Sequence, residues 1–576
     1  MAVLQSIVDL VDILVKHGLT DAVICPGSRS AALTLSLARN SSVRTTISMD
    51  ERAAGFLALG MAIEQKRPVV LVCTSGTAAY NFAPAVAEAF FQHIPLIILT
   101  ADRPKEWIHQ EDGQTIYQNG LFGKHVKFFQ EFPTEATHSD SLWFANRISN
   151  ELYLSATTSP PGPVHLNVPI REPFYPSSDE QFVPGTDNRL IQRLSAQTNL
   201  TTENWHYLQK QWEGSEKILI AGGQSRFSSS LTESLAEMTE EWEIPVLGDV
   251  TANLGNHPDF LSMQDLILQS EGVESLRPNL LITFGRSFLS KKFKNFIRSN
   301  PPRMHWHIGL ETHLIDSFQT LSLQIPIEPD YFFQKMRADI SFTHSFDKGE
   351  IGDSTYKRDW LRRELLATRV VNESMGNDLR VLDDLTCIQR VVSHLPSDTK
   401  IHLGNSMTVR HANLLRRLGL ENEVWANRGT SGIDGCVSTA IGAALAGEGE
   451  FVLFVGDVSF LYDRNGFLIE ALPTNLKIVV VNNGGGNIFR MIDGPRQQPE
   501  LNRFFETRHP FSAQRTAEDA GIAYLKVSTA ADLETVGKQF AATSGPVLLE
   551  LITDPNANVS MARQITDRYK GAFQHL

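Results

Sequence analysis

The sequence predicts an α/β protein built from three doubly wound, mostly parallel sheets. Three observations predict it. First, short aliphatic and β-branched runs recur at 21–25, 68–73, 94–100 and 163–168. They recur again at 217–221, 245–248, 280–284 and 304–308, and again at 400–403, 451–455, 477–481 and 546–551. Helical segments separate them, and continuous apolar strands of this kind are buried on both faces, as in parallel sheets covered by helices. Second, two polar stretches at 172–188 and 341–355 divide the runs into three groups, and their turn-forming residues read as linkers. Third, polar turns follow strand after strand, which marks one sheet edge as the place where ligands gather. The implied units are 1–180, 189–345 and 356–576, the middle one smaller and with fewer strands.

Taken in order, the chain opens on helical apolar spacing at Leu4, Ile7, Val8, Val11, Leu14 and Val15. Asp9 and Asp12 interrupt any signal-type apolar core, so this reads as a domain's first helix. The 21–25 strand leads to the turn Pro26-Gly27-Ser28-Arg29-Ser30. The 68–73 strand leads to Thr74-Ser75-Gly76-Thr77, and the 94–100 strand to Ala101-Asp102-Arg103-Pro104. Between the first two, Asp50-Glu51-Arg52 follows a β-rich run and opens a helix. In the last third, Gly404-Asn405-Ser406 follows a strand, with Arg410 one helical turn beyond Ser406 and so on nearly the same face. Asn427–Gly435 is a glycine-rich loop carrying Arg428, Ser431 and Ile433.

Composition narrows the function. The 576 residues, 42% hydrophobic and 20% charged, suit a protein of several globular domains. A net charge of -13 argues against general binding to nucleic acid or anionic membranes. Cys25, Cys73, Cys387 and Cys436 are scattered in apolar contexts without metal-ligand spacing, and read as buried thiols in a reducing compartment. No apolar run is long enough to span a bilayer. The expectation is a cytoplasmic enzyme with no stable membrane insertion.

The most informative stretch is 451–489. One apolar strand ends at Gly456-Asp457 and the next at Asn482-Asn483, followed by Gly484, Gly485 and Gly486. Asp457, Asn483 and the Gly485 carbonyl are hard oxygen donors, suited to Mg²⁺ with positions left open for a diphosphate. An ordinary β-α-β unit with an Asn/Gly turn would use the same residues. The pattern resembles the Gly-Asp…Asn-Asn motif of thiamine-diphosphate enzymes, with Val458 where that family usually has glycine.

That resemblance gives Glu51 a role. Thiamine catalysis needs one carboxyl group beside N1′ of the aminopyrimidine to favour the imino tautomer, and desolvation of such a carboxyl raises its pKa. A helix-capping acid is the alternative use of Glu51. The resemblance implies that Glu51 and the diphosphate site come from different subunits of a homodimer, or of a dimer of dimers. It also implies that Ser406, Ser431, Ile433, Gly456, Asp457, Asn483 and Gly485 hold the cofactor with Mg²⁺ or Mn²⁺. Ile433 would support its bent shape.

Taken jointly, these motifs look like the family of 2-succinyl-5-enolpyruvyl-6-hydroxy-3-cyclohexene-1-carboxylate synthases of menaquinone biosynthesis. The likeness spans nearly the whole chain and is weakest in the middle. It implies two dicarboxylate substrates, isochorismate and 2-oxoglutarate, and guanidinium groups suit carboxylates. By this resemblance Ser28, Arg29, Arg103 and Gln114 face isochorismate, Arg410 and Arg428 face the succinyl carboxylate, and Phe489 walls the pocket. Lys291 and Lys292 add a basic pair from the middle unit. Lys292 stands where relatives can carry arginine, and Gly113 where they can carry asparagine. His402, inside a strand pattern, reads as a packed histidine. Two other readings stay open: a thiamine enzyme of the acetolactate-synthase or 2-oxoacid-decarboxylase kind, and a nucleotide-binding α/β protein. For the latter, Gly222-Gly223 lacks a full Gly-x-Gly-x-x-Gly turn.

Overall fold

The computed structural model describes residues 4–172, 175–176, 180–311, 313–339, 342, 354–375 and 381–574. Most of the expected linker at 341–355, and residues 173, 174 and 177–179 of the other, lie outside the described residues.

Three six-stranded sheets, every paired strand parallel, form the protein. The N-terminal sheet holds β1 (Asp21–Ile24), β2 (Arg44–Ile47), β3 (Val69–Cys73), β4 (Leu96–Asp102), β5 (Phe129–Glu131) and β6 (Val164–Pro169). The central sheet holds β7 (Ile218–Gly222), β8 (Val246–Gly248), β9 (Phe260–Leu261), β10 (Leu280–Phe284), β11 (Met304–Ile308) and β12 (Leu323–Ile325). The C-terminal sheet holds β13 (Lys400–Leu403), β14 (Val424–Ala426), β15 (Phe451–Gly456), β16 (Leu476–Asn482), β17 (Ala523–Val527) and β18 (Val547–Ile552).

The first and last sheets share one strand order, β2-β1-β3-β4-β6-β5 and β14-β13-β15-β16-β18-β17. The central order, β12-β11-β10-β7-β8-β9, is the dinucleotide-fold order read from its far edge. The expectation of fewer strands in the middle is therefore corrected: its sheet matches the others. Sequence reading found the four inner strands of each sheet and assigned neither edge strand in any of them. Edge strands β2, β5, β12 and β17 are only partly buried, so they lack a continuous apolar run. Edge strands β9 and β14 are buried but only two and three residues long.

Two helices lock the outer sheets together. The helix Glu51–Gln65 begins at Asp50, whose side chain accepts from the Ala53 N–H at 3.0 Å, a standard N-cap. Every residue from Ala53 to Ile63 is buried, so this helix has no solvent face. It packs on the helix Cys436–Ala446 by glycine contact. A Cβ on Gly60 would lie 2.0 Å from the Thr439 carbonyl oxygen, and one on Gly442 would lie 2.0 Å from that of Leu57. One apolar core consequently runs from Val23 and Phe56 through Val437 to Val480 and Leu548. A second core joins the central and C-terminal sheets, from Leu219 to Tyr569.

All four cysteines are buried and free. Among the described residues no helix is long and apolar enough to cross a membrane.

Candidate functional site

A cleft of about 610 Å³ opens at the carboxyl edge of the C-terminal sheet. It lies where β13 meets β15, the point at which the strand order reverses and where ligands of open α/β sheets bind. Asn405 and Ser406 leave β13 on one side, and Gly456 and Asp457 leave β15 on the other. Asn483 and Gly485 follow β16. Pairing of Gly456 with Val481 brings the turns after β15 and β16 to the same edge. Ile488, Phe489, Ile492 and Phe505 wall the far side.

The turn residues are tightly held. Asp457 is buried; its Oδ1 accepts from the Val458 N–H at 2.7 Å and its Oδ2 from the Gly485 N–H at 2.9 Å. His509 Nε2 stands 3.4 Å from the same Oδ2, and this carboxylate raises the imidazole pKa above its usual range. Asn483 donates from Nδ2 to Asp384 at 3.0 Å, and its Oδ1 is buried without a hydrogen-bond partner. Gly484 has φ +77°, and a Cβ on Gly485 would meet the Glu506 carbonyl oxygen at 2.6 Å. The close turn therefore requires glycine. Ser406 and Ser431 both adopt positive φ, 72° and 62°, an uncommon conformation for residues with a Cβ and one that clusters at functional sites.

These donors suit a divalent cation. One carboxylate, one unpartnered amide oxygen and one turn carbonyl make an incomplete hard-oxygen set that diphosphate oxygens would complete. Among the described residues no group of three or more His, Cys, Asp or Glu side chains offers a competing metal site.

Two arginines close the other end. Arg428 is buried and donates to Asn405 Oδ1 at 3.0 Å, while Arg410 donates to the Ser406 carbonyl. Burial lowers both guanidinium pKa values; Asp249 opposes this at Arg428 and Asp265 at Arg410. Both remain cations at neutral pH. The helix Lys291–Ser299 lies near this end: Asp265 also interacts with Lys292, and Lys294 with Arg428. Lys291 and Lys292 are both exposed.

The arginine loop is anchored from the N-terminal unit. Glu88, 1% exposed, accepts from the Gly429 N–H at 2.8 Å, the Thr430 N–H at 2.6 Å and the Thr430 hydroxyl at 2.5 Å. Its neighbour Gln92 accepts from Gln224, which also donates to the Ala426 carbonyl at 3.0 Å. All three units thus meet at the start of the loop carrying Arg428, Ser431 and Ile433. Sequence reading missed Glu88, as it missed Asp384 and His411 in the cleft lining; nothing local in those helices distinguishes them from ordinary polar positions.

The remaining expected residues lie elsewhere in the chain. Among the described residues, none before Asp384 lines the cleft. Glu51 is half-buried at the start of its helix, close enough to Cys25 and Cys73 for its charge to reinforce the burial that pushes their thiols up. It therefore sits above the carboxyl ends of β1 and β3, the equivalent reversal point of the N-terminal sheet. Arg29 and Arg103 line a second cleft with Trp107 and Arg171. Arg29 is buried and donates to the Ile170 carbonyl at 2.9 Å; Arg103 pairs with Asp112 at 2.7 Å. Ser28 and Gln114 are exposed, Ser28 bonded to Tyr175 at 2.7 Å. His402 is buried, and burial lowers its pKa to about 4, so it is a packed histidine.

The family description "Thiamine pyrophosphate enzyme, N-terminal TPP binding domain" matches residues 8–124, and "Thiamine pyrophosphate enzyme, C-terminal TPP binding domain" matches residues 406–551. The chain is 38% identical to the 2-succinyl-5-enolpyruvyl-6-hydroxy-3-cyclohexene-1-carboxylate synthase of Cytophaga hutchinsonii, covering 99% of each chain. It is 33% identical to the synthase of the same name from Flavobacterium johnsoniae, over 98% of each, and 34% identical to that of Desulfotalea psychrophila, over 96% of this chain and 98% of the relative. The chain belongs to this synthase family. As a 2-succinyl-5-enolpyruvyl-6-hydroxy-3-cyclohexene-1-carboxylate synthase family member, it is a thiamine-diphosphate-dependent enzyme by class, and the two matched segments supply most of the residues that line the two separated clefts.

Proposed function

We propose that this protein decarboxylates 2-oxoglutarate and adds the succinyl carbanion to isochorismate in conjugate fashion. The products are 2-succinyl-5-enolpyruvyl-6-hydroxy-3-cyclohexene-1-carboxylate and CO₂, in menaquinone biosynthesis. The observation that carries this reading is the cleft at the C-terminal reversal point, which joins a hard-oxygen turn to two desolvated arginines. It rests also on full-length similarity to synthases of that name.

Thiamine diphosphate supplies the electron sink for decarboxylation and carbanion transfer when bound. Asp457, Asn483 and the Gly485 carbonyl would hold Mg²⁺, with Mn²⁺ as a substitute. The Ser406 turn, Ser431 and Gly456 would hold the cofactor and Ile433 would support it. Arg410 and Arg428 would pair with the distal carboxylate of 2-oxoglutarate, a job for which fixed guanidinium groups suit better than lysines. Phe489 and its apolar neighbours would exclude water. Arg29, Arg103, Ser28 and Gln114, with Lys291 and Lys292, would receive isochorismate.

Glu51 would hold the proton at the aminopyrimidine N1′ of a cofactor seated in the partner chain, in a homodimer or a dimer of dimers. Exposed apolar side chains at this end support such pairing. Met49 is 70% exposed and bonds through its N–H to the carbonyl of Leu468, and Tyr462, 50% exposed, stacks under Arg52. Docking a second chain there would bury Glu51. The domain limits 1–180, 189–345 and 356–576 and a cytoplasmic location belong to the same reading.

The test is to combine purified protein with thiamine diphosphate, Mg²⁺, 2-oxoglutarate and isochorismate and to read product mass, omitting each component in turn. Product formed from pyruvate instead of 2-oxoglutarate would overturn the substrate assignment. Failure to bind thiamine diphosphate with Mg²⁺ by calorimetry would overturn the cofactor assignment.

A further inference from the structure

The unpartnered oxygen of Asn483 raises a question that the ligand set leaves open: what makes this side chain present its oxygen, and not its NH₂, to the cleft? The two ends of a carboxamide are similar in size, so only the hydrogen-bond environment can decide. Asn483 donates from Nδ2 to Asp384 Oδ2 at 3.0 Å. An ionised carboxylate has acceptors and no donors, so the amide can turn only its NH₂ end toward it. The oxygen must then face the other way, where it is buried without a hydrogen-bond partner.

Asp384 is itself immobilised. It is 1% exposed at the first turn of the helix Asp384–Val392. Its Oδ1 accepts from the Thr553 hydroxyl at 2.6 Å, its backbone N–H donates to Asn558 at 2.7 Å, and His411 Nε2 stands 3.8 Å from Oδ2. Fixed through one carboxylate oxygen and its own backbone N–H, with an imidazole beside the other oxygen, Asp384 offers Asn483 one geometry.

We infer that Asp384 is a positioning residue for the cation site: it sets the orientation of the Asn483 amide so that Oδ1 is available as a ligand. The inference rests on the proposed Mg²⁺ site and deepens it. Partners behind a metal ligand commonly contribute 10–100-fold in metal affinity, and that range is the expected size of the effect.

The test uses the full-length protein with thiamine diphosphate and Mn²⁺ as a paramagnetic probe, free Mn²⁺ being followed by electron paramagnetic resonance. Asp384→Ala should weaken Mn²⁺ binding about 10–100-fold. Asp384→Asn can still turn a carbonyl oxygen toward Asn483 and should recover part of that loss. Thermal melting of each variant without metal separates orientation from folding. A merely structural role would make affinity follow melting temperature and leave the Asn variant no better than its melting predicts. Wild-type affinity in a folded Asp384→Ala protein would overturn the inference while leaving the metal site intact. If Asp384→Ala does not fold, Mn²⁺ affinity in Asp384→Asn that falls only as its melting temperature predicts overturns it. Absence of Mn²⁺ binding in the wild type would instead overturn the metal reading on which it stands.

Discussion

The first and last sheets of this protein share a strand order and differ in what their turns carry. In both, the order reverses between the first and third strands, and in both the polar turns gather there. The N-terminal turns carry Glu51 and, in a cleft of their own, Arg29 and Arg103; the C-terminal turns bring together Asp457, Asn483 and a run of glycines. Topology places the site, because carboxyl ends and helix starts diverge at the reversal. The turn residues then decide the chemistry. The central sheet sharpens the lesson: it has the dinucleotide-fold order, yet a Cβ on Gly223 would lie 2.3 Å from the Arg286 carbonyl oxygen. The backbone of the facing loop fills the space directly above that glycine.

If the two outer turns are halves of one site, the largest effect belongs to the lone acid. Glu51→Gln should reduce turnover about 10²–10⁴-fold while leaving the far-ultraviolet circular dichroism unchanged. Unimpaired turnover would separate the N-terminal turn from the chemistry.

The comparison also demands that the halves come from different chains. Glu51→Gln and Asp457→Asn should each be nearly inactive alone. Mixed and reassembled in equal amounts they should regain about a quarter of wild-type turnover, since half the dimers would carry one intact site of two. Sites completed within one chain would regain nothing.

The seam between the outer units has its own signature. Burial raises the Asp463 carboxyl from 3.8 to about 7; the Ser438 bonds and the nearby Arg52 charge oppose the rise without cancelling it. The unfolded chain loses this proton near pH 4 while the folded chain keeps it to near neutrality. Stability should therefore fall as pH rises through that window, by about 4 kcal/mol in all, and level off above it. Asp463→Asn should remove most of this slope in urea titrations at pH 5, 6, 7 and 8. An unchanged slope would place the titration elsewhere.

The smallest expected effect tests the contact itself. Gly60→Ala should lower the stability of the folded chain by about 2 kcal/mol, because its new Cβ meets the Thr439 carbonyl with no room to repack. The midpoint of chemical denaturation measures it, and a neutral result would mean that the two helices separate readily.

Legibility from sequence followed burial. Inner strands such as Val69–Cys73 and Leu476–Asn482 are apolar throughout because both faces are covered. Edge strands such as Arg44–Ile47 are half solvated and resemble loops. In the same way, Asp457 and Asn483 were legible because a polar turn abruptly ends an apolar run. Glu88 and Asp384 were not, because each sits on a helix and acts on a segment hundreds or scores of residues away.

By itself, the amino-acid order determined the parallel α/β architecture, the positions of the polar turns that end its inner strands, and the family. Periodicity and turn chemistry are local properties, and the motifs lie within short segments. Only the tertiary structure decided which turns share a cleft, that Glu88 holds the arginine loop, and which way the Asn483 amide points. Those outcomes depend on long-range packing, where a carboxylate's lack of donors or a glycine's lack of a Cβ matters only once the partner arrives.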